Sequence, residues 1–168
     1  MPGWTGYYGA NQATQLLHND IADDASMAIY GPDFPSPGLY HGHCFIQLKP
    51  GLDPGGSGQT ISTAIAQSGT IPGSAQSIQF YAEAAAYLVT FAGHQIPMTI
   101  LGGSYETYFL YGGDISAYAG QAGELRFLGT GYLDNIQFSN LPAPEPSVIG
   151  LSALGALLLG WRVLVRRR

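Results

Sequence analysis

The sequence predicts an all-β jelly-roll sandwich followed by a single C-terminal transmembrane helix. Short runs alternate apolar and polar residues with period two, the signature of half-buried strands. Turn-forming Gly and Pro punctuate these runs every 8–12 residues or so, the spacing of sandwiches and barrels. The chain then ends in an uncharged apolar stretch capped by arginines.

The strands follow in order. Ile61, Thr63 and Ile65 share one face, and Ile78 and Phe80 share another within Ser77–Tyr81. Tyr87, Val89 and Phe91 alternate in the same way, as do Tyr105, Thr107, Phe109 and Tyr111, then Leu125 and Phe127. Leu133, Asn135 and Gln137 alternate with Asp134, Ile136 and Phe138. Turns are expected at Pro50-Gly51, Pro54-Gly55-Gly56, Pro72-Gly73, Ala92-Gly93, Gly102-Gly103, Gly112-Gly113 and Gly129-Thr130-Gly131. Residues 114–121 predict one helical turn capped by Asp114. No internal repeat of 20–50 residues is visible.

The 168 residues accommodate one domain and a tail. Only 10% are charged, against roughly 25% in an average chain, while Gly (24), Pro (11) and Tyr (11) are abundant. Up to Glu145 two basic residues, Lys49 and Arg126, face eleven acidic ones, a balance of −9. Such a body cannot neutralise a phosphate backbone, which argues against nucleic acid as a partner. Cys44 is the only cysteine, so no internal disulfide forms, and its apolar setting predicts a small buried side chain.

The tail is the most informative segment. The sandwich is expected over 1–140, a Pro-rich linker over 141–147, the transmembrane helix over 148–165 and a basic cytoplasmic cap over 166–168. A spanning helix needs about 20 apolar residues, with a lower limit near 17, and 148–165 meets it if Arg162 snorkels. Arg166, Arg167 and Arg168 stop the chain on the cytoplasmic side, which places the body outside. Leu141–Ser147 carries three prolines, cannot be helical and is expected to be extended.

Pro144-Glu145-Pro146, then Ser147, a short apolar span with glycines and terminal arginines resemble the PEP-CTERM sorting domain of Gram-negative bacteria. The resemblance covers about the last 27 residues. It implies that exosortase, an integral membrane transpeptidase-like enzyme, is the processing partner. It also implies an exported, non-enzymatic protein that passes through an inner-membrane intermediate to the cell surface or extracellular matrix, in association with exopolysaccharide and biofilm. The body has a resemblance of its own. PGWT (2–5), IAQSGTIPG (65–73), SIQFYAEA (77–84), a strand ending at Gly93-His94, YETYFLYGGDISAYAG (105–120), ELRFL (124–128) and YLDNIQFS (132–139) are similar in order to galactose-binding-like sandwiches, common among PEP-CTERM proteins. Plant cell-wall domains share the layout.

That resemblance implies a structural calcium, with Asp134 as a ligand near the N-terminal segment. It also raises polysaccharide binding, in which aromatic rings stack on pyranose faces. The candidates are Trp4, Tyr81, Tyr87, Tyr108 and Tyr111, with Tyr7 and Tyr8 beside Trp4. Packing at the rim of a core is the competing role for each tyrosine. The acidic loop Asp20, Asp23, Asp24 lacks the spacing of an EF-hand, and a solvated loop is favoured. His41 and His43 share a strand face but lack a third ligand, and His18 and His94 belong to no set. Glu83, Glu106, Asp114 and Glu124 are the acids from which a glycosidase pair would be drawn, which leaves a membrane-anchored periplasmic enzyme as an alternative. No nucleophile elbow, zinc helix or phosphate loop accompanies them, and Gly55–Gly58 reads as a plain loop. Residues 1–19 contain neither a basic n-region nor an apolar h-region, and only Met1 precedes PGWT. An upstream signal peptide and one more strand are therefore expected.

Overall fold

The computed structural model describes residues 3–34, 44–53, 55–83, 87–105 and 108–143, with backbone alone at 103–105. The early strands are β1 (Thr5–Tyr8), β2 (Asn11–Gln12), β3 (Leu17–His18), β4 (Ser26–Tyr30), β5 (Phe45–Lys49), β6 (Gly51–Leu52), β7 (Thr60–Ile61) and β8 (Thr63–Thr70). Then follow β9 (Ser77–Glu83), β10 (Leu88–Phe91), β11 (His94–Ile96), β12 (Thr99–Tyr105), β13 (Tyr108–Asp114), β14 (Ala122–Gly129) and β15 (Gly131–Ser139). One 3-10 turn, Ser116–Tyr118, sits where the helical turn is expected. Asp114 accepts the Ser116 N–H at 2.8 Å, but the N-cap position is Ile115 and no side chain caps the turn, which corrects the expectation of an Asp114 cap.

Two sheets form the sandwich. The first has the order β11-β10-β14-β8-β1-β2 and the second β12-β13-β9-β15-β5-β4-β3, with β6 and β7 as a separate hairpin. Pairing is antiparallel throughout, except between β3 and β4. The outer strands of the first sheet, β2 and β11, are two and three residues long, which leaves little backbone for edge-to-edge pairing. The chain is thus an all-β protein with the layers of a sandwich.

The core lies between the sheets, and Phe80 is its hub. It meets Phe127 of the opposite sheet edge-on at 5.2 Å, and Tyr111 stacks on it at 5.4 Å. Tyr87 approaches it edge-on at 6.1 Å, and Trp4 leans on Phe127 at 5.9 Å. Met27, Leu48, Ile65, Ile78, Val89 and Leu133 fill the remainder and are almost wholly buried. A second cluster occupies the outer face of the second sheet. Tyr30 stacks on Phe45 at 4.9 Å and leans on Phe34 at 4.3 Å, and Tyr132 stands edge-on to Phe45. The Tyr30 hydroxyl donates to Gln47 at 2.7 Å and accepts the Ala22 N–H, while Lys49 donates to the Ala22 carbonyl. These bonds stitch the acidic loop over the aromatic cluster.

Several expected strands differ in detail. Tyr105–Tyr111 is a hairpin rather than one strand: Tyr105 pairs with Tyr108, and Phe109 and Tyr111 alternate only within β13. Ser62 separates Ile61 in β7 from Thr63 in β8. Gly102-Gly103 and Gly112-Gly113 lie inside strands, not turns. Gly102 stands at a β-bulge with φ +130°, and a Cβ on Gly113 would come within 2.6 Å of the Pro97 carbonyl. Glycine there permits close packing of backbone. Ala92-Gly93 is the expected turn, with positive φ at both residues, as a two-residue hairpin needs.

Among the described residues no helix is long and apolar enough to cross a membrane. The expected span at 148–165, the sorting motif Pro144–Ser147 and the cap Arg166–Arg168 lie outside them, as do His41, His43 and Glu106.

Phe80→Ala removes the hub, and a loss of about 3–5 kcal/mol of stability is expected. Phe138→Ala, at a side chain 36% exposed, should cost less than half as much. Urea unfolding followed by tryptophan fluorescence compares the two.

Candidate functional site

A cavity of about 200 Å³ opens where β15 changes direction. β15 runs in register with β9 through Leu133 and Asp134, then gains one residue before Gln137 pairs with Gln79. The extra residue is a β-bulge centred on Asn135, whose φ of +49° is the left-handed conformation that Asn tolerates better than most residues. The bulge breaks the alternation expected of this strand. Leu133 and Ile136 both turn to the core, and Asp134 is held at 7% exposure. One Asp134 oxygen accepts the Asn135 N–H at 2.6 Å.

Trp4 and Asp134, singled out separately in the sequence, line this same cavity. Ile46, Ile65 and Leu133 supply much of its wall, so the interior is mainly aliphatic. Its volume falls below the roughly 300 Å³ at which ligand clefts begin, so it suits one small group and no extended ligand. Cys44 also lines it and is exposed, which corrects the expectation of a buried side chain. The physical reason is position: Cys44 lies just before β5, and Phe45 and Ile46 take the two buried faces instead.

The four candidate tyrosines do not form one platform. Tyr87 and Tyr111 both pack on Phe80 in the core. The Tyr87 hydroxyl donates to the Gly131 carbonyl at 2.8 Å. Burial pushes the Tyr87 phenol well above the ordinary tyrosine range, with the charges of Glu83 and Tyr111 adding to the shift. Burial raises Tyr111 as well. Tyr108 is buried at 8% exposure and stacks at 6.4 Å on Tyr132. Tyr81 is half-buried and pairs in register with Asp134.

Asp134 is not an exposed strand residue, and Arg126 does not pair with it. Arg126 bonds Glu124 at 2.9 Å, and its guanidinium lies 4.1 Å from the centre of the Tyr7 ring. This contact was not legible as a unit in the sequence. Tyr7, Ala64 and Leu128 are aligned across β1, β8 and β14, with Thr5, Ala66 and Arg126 in the next row. Arg126 must therefore cross β8 to reach Tyr7. Ala64 and Ala66 face outward yet are almost fully buried, which fits a charged aromatic strap passing over small residues.

Among the described residues no three of His, Cys, Asp and Glu converge to hold a metal ion. Calcium needs six to eight oxygen ligands, and one carboxylate in an aliphatic wall does not fit it unaided. Asp20 and Asp23 bond neighbouring backbone amides, and their loop is solvated. Glu83 pairs with Tyr108 and Asp114 with Ser77 on the same two strands, six positions apart. At about 3.3 Å per residue that is roughly 20 Å, beyond the span of a glycosidase pair. Hydrogen bonds from Ser116 hold Asp114 below the ordinary carboxylate range, and Ser57 and Gly55 do the same for Asp53. The latter bonds order the Gly55–Gly58 loop. His94 stacks on Tyr118 at 6.4 Å.

The fold and this cavity define an all-β two-sheet sandwich with a small, mainly aliphatic cavity at a strand bulge. No protein-family model, no curated protein and no solved structure matches the chain.

Tyr87 gives the fold a pH dependence of definite sign. The unfolded chain loses its phenolic proton near pH 10, and the folded chain holds it higher. The stabilisation is therefore complete below about pH 10 and is lost as pH rises towards the folded value. Tyr87→Phe keeps the ring and removes the titration. It should cost about 1 kcal/mol at neutral pH through the lost hydrogen bond and flatten the alkaline fall in stability. Urea midpoints measured from pH 7 to above 10 test both effects.

Proposed function

We propose that this chain is an exported, non-enzymatic protein of the cell surface or extracellular matrix of a Gram-negative bacterium. Its C-terminal PEP-CTERM signal sorts it: the helix over 148–165 holds an inner-membrane intermediate, and exosortase recognises Pro144–Ser147. The product is associated with exopolysaccharide and biofilm. The observation that carries this reading is the order of Pro-Glu-Pro, apolar span and arginine cap at the C-terminal end. The end of the sandwich supports it. Ser77 donates to the Leu141 carbonyl at 2.8 Å, so the described domain is tied down to within three residues of the motif. A processing enzyme needs an accessible segment beside a folded domain, and the prolines at 142, 144 and 146 favour an extended one.

In a host with exosortase, the mature protein should lack everything beyond the Pro144–Ser147 region. Changing Glu145 and Pro146 together to Ala should slow that loss severalfold. Mass spectrometry of surface protein decides it, and an intact Arg168 end would refute the sorting.

A second reading, a carbohydrate-binding module with structural calcium on a galactose-binding-like jelly roll, rests on Trp4 and Asp134 lining one cavity, and its calcium would need oxygen ligands beyond Asp134. Chelator should then lower the melting temperature, and Asp134→Asn should remove the difference. Equal melting with and without chelator argues against the ion, and a glycan array tests the sugar.

A further inference from the structure

The two loops at the end of the sandwich where the chain leaves it are bonded to one another. The Ile71 N–H donates to the Gln121 carbonyl at 3.0 Å, and the Gly120 N–H returns a bond of the same length to the Ile71 carbonyl. The Ile115 N–H donates to the Gln76 carbonyl at 3.1 Å, and the Gln76 N–H to the Ser139 carbonyl at 2.8 Å. Ser77 then holds Leu141, as above, and the Leu141 N–H donates to the Ser139 hydroxyl at 3.0 Å. Residues 71–76, 115–121 and 139–143 therefore make one rigid pole with the exit of the chain built into it.

None of the residues of this pole is Asp, Glu, Lys or Arg; the exposed carboxylate of Asp114, which accepts the Ser116 N–H, borders it, and Asp20 and Asp33 follow the ends of β3 and β4 on the same side of the second sheet. Leu141 is 67% exposed there and Phe138 36%, and a largely apolar slot of about 170 Å³ lies between Phe138, Ile71 and Phe91. The opposite pole differs. Asp23, Asp24, Lys49, Asp53 and Glu83 all lie at or near the strand ends that mark it.

We infer that the uncharged pole rests on the bilayer surface while the precursor is anchored, held there by Phe138, Leu141 and the 71–76 and 115–121 loops. The inference rests on the anchored intermediate proposed above. Chain length supplies the orientation. Four residues, 144–147, separate Ala143 from the apolar segment, a reach of about 17 Å at full extension. The nine-residue β15 spans about 30 Å. The far pole therefore cannot be turned to the membrane without lifting the exit beyond the reach of the linker. Headgroups occupy about 5–8 Å of that reach on each side of the bilayer. The body is thus confined next to the lipid, and the end that carries this patch is the one that meets it. Exposed apolar side chains such as Leu141 and Phe138 are residues that an interface accepts. Docking would also hold the Pro-Glu-Pro segment at the membrane surface, within reach of an integral membrane enzyme.

The full chain in phosphatidylcholine nanodiscs containing spin-labelled lipid tests this. Single cysteines are placed at Ser74, Ala117, Thr130 or Ser152 in a Cys44→Ser background and given a fluorophore. Labels at 74 and 117 should be quenched on the order of threefold more than the label at 130, as for groups within about 10 Å of the acyl boundary. The label at 152 reports on the anchor independently. Leu141→Asp should relieve quenching at 74 and 117 and leave 152 unchanged. Strong quenching at 152 with none at 74 and 117 overturns the docking and leaves the anchor standing. No quenching at 152 overturns the anchor, and the docking falls with it. Protection of 74 and 117 that follows protein concentration in lipid-free detergent would mark a contact between copies and overturn docking on lipid.

Discussion

The edge-to-face contact between Phe80 and Phe127 joins the two sheets, and much of the molecule is arranged around it. An aromatic pair of this kind contributes about 0.5–1.5 kcal/mol beyond its burial. Its larger consequence is geometric. Phe80 presents one face to Tyr111 and an edge region to Tyr87, while Phe127 supports Trp4. Two of the candidate tyrosines, Tyr87 and Tyr111, are thus packed against the core hub. Trp4, held at the margin of the same cluster, keeps a surface on the cavity. Which aromatics remain available to a ligand follows from which ones the hub has taken.

The alternation of Ser77–Tyr81 and of Leu125–Phe127 was legible because each strand has one face on the core and one in solvent. β4 and β5 break that condition. Their outward residues Ala28, Tyr30 and Phe45 are buried in a second cluster, so apolar residues occupy both faces and period two disappears. β8 breaks it differently: Ala64 and Ala66 face outward but are covered by Arg126 and Tyr7. The glycine pairs misled for a third reason. A Gly-Gly pair signals a turn by propensity, yet Gly102 serves a positive-φ bulge in β12 and Gly113 in β13 allows close approach of the Pro97 carbonyl, features that only tertiary packing creates.

The candidate cavity was half legible. Trp4 and Asp134 were visible as residue types, but their meeting required the bulge at Asn135, and no period in the sequence announces an extra residue in a strand. The bulge also explains how a carboxylate is kept at low exposure without a metal cluster among the described residues. Twisting the strand lets the backbone N–H of the next residue turn back to the Asp134 oxygen. A buried acid is costly unless hydrogen-bonded, so the bulge supplies locally what burial demands.

The placement of positive charge joins the body to the tail. Membrane orientation is set by Lys and Arg near the ends of a span, while long domains translocate largely regardless of their charge. The body up to Glu145 has only two, and both are engaged in the fold: Lys49 at the Ala22 carbonyl, Arg126 on Tyr7 and Glu124. The role of Arg126 needs a cation. A neutral residue could not lie over the Tyr7 ring and pair with Glu124 at once. The other four arginines are at positions 162 and 166–168. Of the six cations, two are thus bound into the fold and four are gathered in the last seven positions.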